Sequence, residues 1–307
     1  AGGVVFIDGY FVFNEPETGR FFQSDLYSSA FDPLKFATAE GMPDNVVDLI
    51  EDHRQLVLGG TKSVELWWNS GADNFVFDRL PDGFVEIGCR GAIAKSDNSV
   101  FWVANENTAR RLSGSTPVRV STHAVEEAFR GYTSVPYGFT YTIDGHLFWI
   151  VQFPEEATWA FDITTGEWAE RESGNGDPWS INAAAELGSV QYVQDAITGA
   201  VGTVQPEVYT EFGATQRCVW RYPSIYDGGR ELFHNRFELV CHVGLGADPQ
   251  IMLEYSDDGG KTWTSAPNRT LGAIGQYKTR VTWHGLGSAV DRVYQCSTSD
   301  PAVIKIT

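Results

Sequence analysis

Short apolar runs broken by a turn signal recur along the first two thirds of the chain. VVFI (4–7) leads to Asp8-Gly9 and then YFVF. VVDLIE (46–51) leads to Asp52-His53 and QLVL, and AIAKS (92–96) leads to Asp97-Asn98 and SVFWVA. FTYTI (139–143) leads to Asp144-Gly145 and HLFWIV, and INAAAE (181–186) leads to Leu187-Gly188 and SVQYV. The signal therefore returns roughly every 44 residues, the length of one propeller blade. Tight loops of the Asp-Gly kind join antiparallel neighbours, so each unit opens with a β-hairpin.

Two more runs complete each unit. The third strand is read at RFFQSDL, SVELWWNS, ARRLSG, ATWAFDI and AVGTVQ; the fourth at FATAE, FVFDRL, VRVST, EWAERE and VYTEF. The pattern predicts an all-β fold: a β-propeller of four-stranded blades over residues 1–213. Residues 214–307 lose the rhythm and read as a C-terminal antiparallel β region, either a closing blade or a β-sandwich. One helix is predicted in THAVEEAFR, from Thr122 as N-cap to Arg130, with Gly131 as its stop. Residues 28–45 read as an irregular connection around a short strand.

Composition narrows the function classes. The 307 residues are 42% hydrophobic, with 10 Trp, 12 Tyr and 19 Phe, enough for a sizeable core. Lys and Arg number 22 against 40 Asp and Glu, a net charge of −18. Such a balance opposes a direct grip on nucleic acid, which needs clustered cations, and opposes an anionic membrane surface. No apolar run reaches the 18 residues of a membrane helix. The chain opens on AGGVVFIDGY, which has no signal-peptide pattern and no Met, the start expected of a fragment or a processed product. Cys89, Cys218, Cys241 and Cys296 are scattered without a C-x-x-C pair and read as small buried hydrophobes.

Few motifs carry chemistry. SDDGGKTW (256–263) fits S-x-D-x-G-x-x-W, the Asp box. Ser256 and Asp258 are placed to bond backbone groups, Gly260 to take the left-handed position, and Trp263 to pack beneath the turn. Asp boxes recur in sialidase propellers, so a sugar-binding or sialidase-like module is the alternative reading. It needs several arginines converging on a carboxylate, with a Tyr-Glu pair and an acidic donor. Arg54, Arg79, Arg110, Arg111, Arg119, Arg217 and Arg221 are available, but nothing in their spacing brings them together. The six histidines show no metal-ligand spacing, and Asp257-Asp258 lacks the rest of a calcium loop. Asn268-Arg269-Thr270 is a glycosylation sequon with meaning only in a secreted protein. Trp67, Trp68, Trp102, Trp149, Trp159 and Trp168 sit at blade positions and read as core rather than as a sugar platform; adjacent Trp67 and Trp68 face opposite sides of their strand.

Three stretches, in order, resemble the packaged-DNA stabilisation proteins, or tail accessory factors, of short-tailed bacteriophages. They are GRFFQSDLYSSAFDPLKFATAEGMPDNVV (19–47), RRLSGSTPVRVSTHAVEEAF (110–129) with its STHAVE turn into a helix, and the C-terminal stretch 251–306. The resemblance implies a non-enzymatic virion protein of the tail, assembled in the host cytoplasm, that helps close the portal channel after packaging. It implies the portal or adaptor ring and the tail needle or tailspike as partners, and a ring-forming homo-oligomer. It carries over no catalytic, metal or cofactor-binding residue.

Overall fold

The computed structural model describes residues 2–174, 176–300 and Ile306. The chain divides into two compact units, Ala1–Glu172 with Pro178–Val204, and Ser173–Asp177 with Gln205–Thr307.

The first unit is a series of antiparallel sheets. Blade one holds β1 (Val4–Ile7), β2 (Tyr10–Asn14), β3 (Arg20–Ser24) and β4 (Phe31–Thr38). Blade two holds β5 (Val46–Asp52), β6 (Gln55–Gly60), β7 (Val64–Asn69) and β8 (Phe77–Val85). Blade three holds β9 (Cys89–Ser96), β10 (Ser99–Ala104), β11 (Ala109–Ser113) and β12 (Thr116–Arg119). After α1 (His123–Gly131), blade four holds β13 (Tyr137–Ile143), β14 (His146–Phe153), β15 (Ala157–Asp162) and β16 (Glu167–Ser173), with a two-residue β17 (Asp177–Pro178). Blade five has three strands, β18 (Ile181–Leu187), β19 (Val190–Asp195) and β20 (Val201–Thr203). VYTEF does not supply its fourth strand. Its Thr210–Glu211, β21, pairs instead with the neighbouring β22 (Ala214–Thr215), so a local hairpin takes the backbone bonds that a blade edge would have used.

First strands lie next to first strands, β1 by β5, β5 by β9, β9 by β13 and β13 by β18. Each junction has its own core. Phe21, Leu49, Trp67 and Phe77 join blades one and two, and Val57, Leu66, Val100 and Trp102 join two and three. Phe101, Phe129, Trp149 and Phe153 join three and four across α1, and Tyr141, Ile150, Trp179 and Ile181 join four and five. Strand period two makes this possible, because each central strand serves a core on both faces. The backbones of blades three and four touch where two glycines permit it. A Cβ on Gly91, at φ +150°, would lie 2.2 Å from the Pro136 carbonyl oxygen, and one on Gly138 would lie 2.6 Å from that of Ala92.

The opening turns hold Asp8-Gly9, Asp97-Asn98 and Asp144-Gly145, all at positive φ as a two-residue hairpin loop of this hand requires. Two turns sit one residue later than the sequence pattern placed them. Asp52 pairs with Gln55, so the loop is His53-Arg54, and Leu187 pairs with Val190, so it is Gly188-Ser189. His53 and Arg54 take φ of 50° and 60° without a glycine. The Arg54 amide donates to Glu51 Oε1 (3.0 Å) and its Nε to Asp8 Oδ1 (2.9 Å), which ties the turn to the tip of blade one.

Within the 28–45 stretch, eight residues form strand β4, more than the short strand expected. Pro33 is tolerated because β4 is an edge strand. The helix begins after Thr122 as expected, and the Thr122 hydroxyl accepts from the Val125 amide. It runs through Gly131, and Tyr132 rather than Gly131 is the C-cap.

The second unit is less regular. Its largest sheet orders β23 (Cys218–Arg221), β31 (Asp291–Thr298), β27 (Gln250–Ser256) and β28 (Thr264–Thr270), with β24 (Ile225–Tyr226) also on β31. Besides the β21–β22 hairpin, it holds two further short pairs, β25 (Leu232–Phe233) with β30 (Ser288–Ala289) and β26 (Arg236–Leu239) with β29 (Val281–His284). One core gathers Leu239, Ile251, Leu253, Trp283, Tyr294 and Cys296, so the large sheet and the β26–β29 pair share a single interior. Cys89 and Cys296 are buried as expected, Cys241 is half-buried, and Cys218 is exposed on an edge strand.

Candidate interaction surfaces

The Asp-box residues meet in the β27–β28 turn. Ser256 Oγ donates to Asp258 Oδ1 (2.7 Å) and accepts from the Gly260 amide (2.8 Å). Asp258 Oδ1 accepts from the Lys261 and Thr262 amides (2.9 Å each), and Oδ2 from the Thr262 hydroxyl (2.6 Å). These donors, the Thr262 hydroxyl first, hold the Asp258 carboxyl well below the usual carboxylate range. Gly260 has φ +90°, and a Cβ there would lie 3.6 Å from the Trp263 ring.

Two partners of this turn carry no local sequence signal. The Arg221 guanidinium lies over Trp263, 5.1 Å from the ring centre. Arg292, only 2% exposed, clasps Asp257 with two 2.6 Å bonds, donates to the Leu286 carbonyl (2.6 Å) and stacks on Tyr255. Asp257 is therefore an ion-pair partner that pins the turn to β31. The Ser256 and Asp258 side chains are thus spent on building the turn.

The arginines do not converge on a sugar-type pocket. Arg54 pairs with Asp8, Arg79 with Glu65, Arg110 with Glu106, Arg111 with Asp97, Arg119 with Glu126 and Arg217 with Glu254, while Arg221 bonds Gln295. A cavity of about 500 Å³ between blades two and three is lined by aliphatic Val57, Leu66, Leu80 and Leu112, with Asp52 and Asn98, and by neither Arg nor Tyr. Trp102 and Trp149 are fully buried and Trp67 nearly so; Trp159 and Trp168 pack on the blade three–four core, and Trp68 faces outward. Among the described residues no group of three His, Cys, Asp or Glu could hold a metal ion, and no helix is long and apolar enough to cross a membrane.

The STHAVE stretch has a physical purpose. Glu126 is buried, and its carboxylate accepts from Arg119 Nε (2.5 Å) and Ser121 Oγ (2.6 Å). Burial pushes this carboxyl up, but Arg119 and Ser121 outweigh it and hold it below its ordinary value. Beyond the helix, Arg90 donates to the carbonyls of Phe129 (3.0 Å), Tyr132 (2.6 Å) and Ser134 (2.9 Å) and to Asn107 (2.6 Å). Glu156 takes the Thr133 and Ser134 amides (2.9 Å each); with the Ser134 hydroxyl foremost, they lower its pKa to about 2. One cation and one anion thus fix the loop between blades three and four.

Charge is divided unevenly. Residues 1–204 hold 12 basic and 29 acidic side chains, a net of −17, and residues 205–307 hold 10 and 11, a net of −1. Nearly all the net negative charge belongs to residues 1–204.

These features define the class as an acidic β-propeller joined to a near-neutral β-sandwich, its polar clusters spent on holding loops and turns. Residues 2–209 match the family described as Bacteriophage P22 Gp10, beta-propeller, and residues 217–307 match Bacteriophage P22 Gp10, beta-sandwich. The chain belongs to this phage stabilisation family and is a phage structural protein, which works in contact with other virion proteins. No curated protein matches it. Among solved structures, the chain is similar to the computationally designed Ika4 protein, at 17% identity over 54% of this chain and 93% of that one, with a TM-score of 0.33.

Proposed function

We propose that the chain is a non-catalytic component of the phage tail. It sits below the portal, helps close the channel after packaging and gives later tail parts a surface to dock on. Its partners are the portal or adaptor ring and the tail needle or tailspike, and several copies form a ring. Membership of both units in one phage stabilisation family carries this reading. Retention of DNA then works by obstruction. A blade region of net −17 repels phosphates, and binding to duplex DNA requires cations that displace counterions. The same field lowers friction against DNA leaving the capsid.

Light scattering on the chain, alone and mixed with its cognate portal–adaptor ring, tests the proposal. Stoichiometric capture by the ring is expected, with no retardation of duplex DNA by the chain at low salt. Failure of capture, or DNA binding that weakens steeply with salt, overturns it.

A further inference from the structure

The core shared by blades two and three stops short of the surface. Between β6, β7 and β8 of blade two and two turns of blade three it leaves the cavity of about 500 Å³, the size of a small-ligand site. The floor is aliphatic: Val57, Leu66 and Leu112 are 1%, 4% and 7% exposed, and Leu80 lies beside them. No Phe, Tyr or Trp lines the space, so it offers no aromatic cage for a quaternary ammonium.

The mouth is polar and holds no Lys or Arg. Asp52 is already taken, by His53 Nδ1 at 2.9 Å and Lys95 Nζ at 3.3 Å. The side chains of Gln55, Asp82, Asn98 and Ser115 line the same opening and have no protein partner among the described residues. The turn at this mouth is His53-Arg54, where two residues without the glycine, Asn or Asp of the other blade turns hold φ of 50° and 60°. Backbone held in this way is characteristic of ligand sites.

We propose that this cavity binds an aliphatic primary ammonium, its methylene chain on the four aliphatic side chains and its charged head at Asp82, Gln55, Asn98 and Ser115. A primary ammonium brings three N–H donors, and the Asp82 carboxylate, the two amide oxygens and the Ser115 hydroxyl are acceptors. Charge selects in the same direction, because two carboxylates without a lysine or arginine beside them at the mouth repel an anion of the same shape. Burial of the methylenes supplies affinity that an exposed carboxylate alone does not. The proposal rests on the blade two–three junction and not on a place in the tail.

Calorimetric titration of the whole chain at pH 7 with 1-hexylamine, protonated there as a lysine is, tests it. Saturable binding at one site is expected, with hexanoate and hexyltrimethylammonium roughly tenfold weaker or more. Asp82→Asn should weaken hexylamine by about the same factor. Leu80→Trp, which fills the cavity, should abolish binding while circular dichroism shows the fold intact. Should it misfold, Ser115→Trp, at an exposed turn position, closes the mouth instead. Hexylamine that fails to saturate the chain overturns the proposal, as does hexanoate or hexyltrimethylammonium that binds equally well. So does a blocked variant that binds undiminished, which means that the amine sits elsewhere on the acidic surface. Nα-acetyl-lysine amide set against 1-butylamine separates two sources of the same chemistry. Tighter binding of the first assigns the site to a lysine of another polypeptide, tighter binding of the second to a free amine, and both uphold it.

Discussion

The two units reach stability by different routes. The blade unit repeats one solution: a hairpin with a left-handed turn, two further strands where the blade is complete, and a core shared with the next blade. Its cohesion is spread over four junctions. The second unit has one core and many two-residue strands, and it leans on single long-range ties such as Arg292 to Asp257, 35 residues apart in sequence. Repetition tolerates local loss, whereas a unit with one interior does not.

The sharpest way to break that contrast is to remove a junction. Trp149→Ala empties a fully buried site between blades three and four and should cost about 3–5 kcal/mol. Hydrogen exchange should show the loss in those two blades, with Leu253 and Trp283 in the second unit still protected. Protection lost throughout the chain would mean that the units do not fold separately.

Arg292→Met tests the converse. It strands Asp257 and frees the Leu286 carbonyl, at a cost of about 3 kcal/mol, the low end for a broken buried pair because Asp257 reaches water. A single early melting transition confined to residues 205–307 is expected in scanning calorimetry. An unchanged trace would show that cation stacking on Tyr255 and the ion pair contribute little.

The smallest effect concerns charge within the blades. Burial raises the Asp48 pKa from 3.8 to about 6, against a bond from the Leu49 amide. The folded state therefore disfavours the ionised form, and stability falls as pH rises from about 4 through 6. Asp48→Asn should add about 1–3 kcal/mol at pH 7 and nothing below pH 4. Melting temperatures at the two pH values check it, and a gain of equal size at both would assign the effect to packing.

Legibility in the sequence follows the same division. Blade hairpins are readable because Asp, Asn and Gly at positive φ punctuate apolar runs. Two turns fall one residue later than the pattern places them: His53-Arg54, which holds no such residue and takes support from Asp8 in another blade, and Gly188-Ser189, where the glycine is the first loop residue and not the second. The Asp box is readable because its bonds close within seven residues. Arg221 and Arg292 are not, because each arrives from a strand far along the chain. VYTEF has the composition of a blade strand, and only pairing with Ala214–Thr215 shows that its partner is local. The phenylalanines of blade one stand out in the sequence, but only strand register puts Phe6, Phe11, Phe13, Phe22, Phe31 and Phe36 on one side of the sheet.

The separateness of the four interblade cores has a mechanical consequence. Tension applied to the ends of residues 2–204 would meet no single clasp strong enough to hold the whole unit or weak enough to release it at once. Extension should proceed in steps, each freeing one sheet and handing the load to the next, so that the unit yields gradually where a single-core protein of its size would snap.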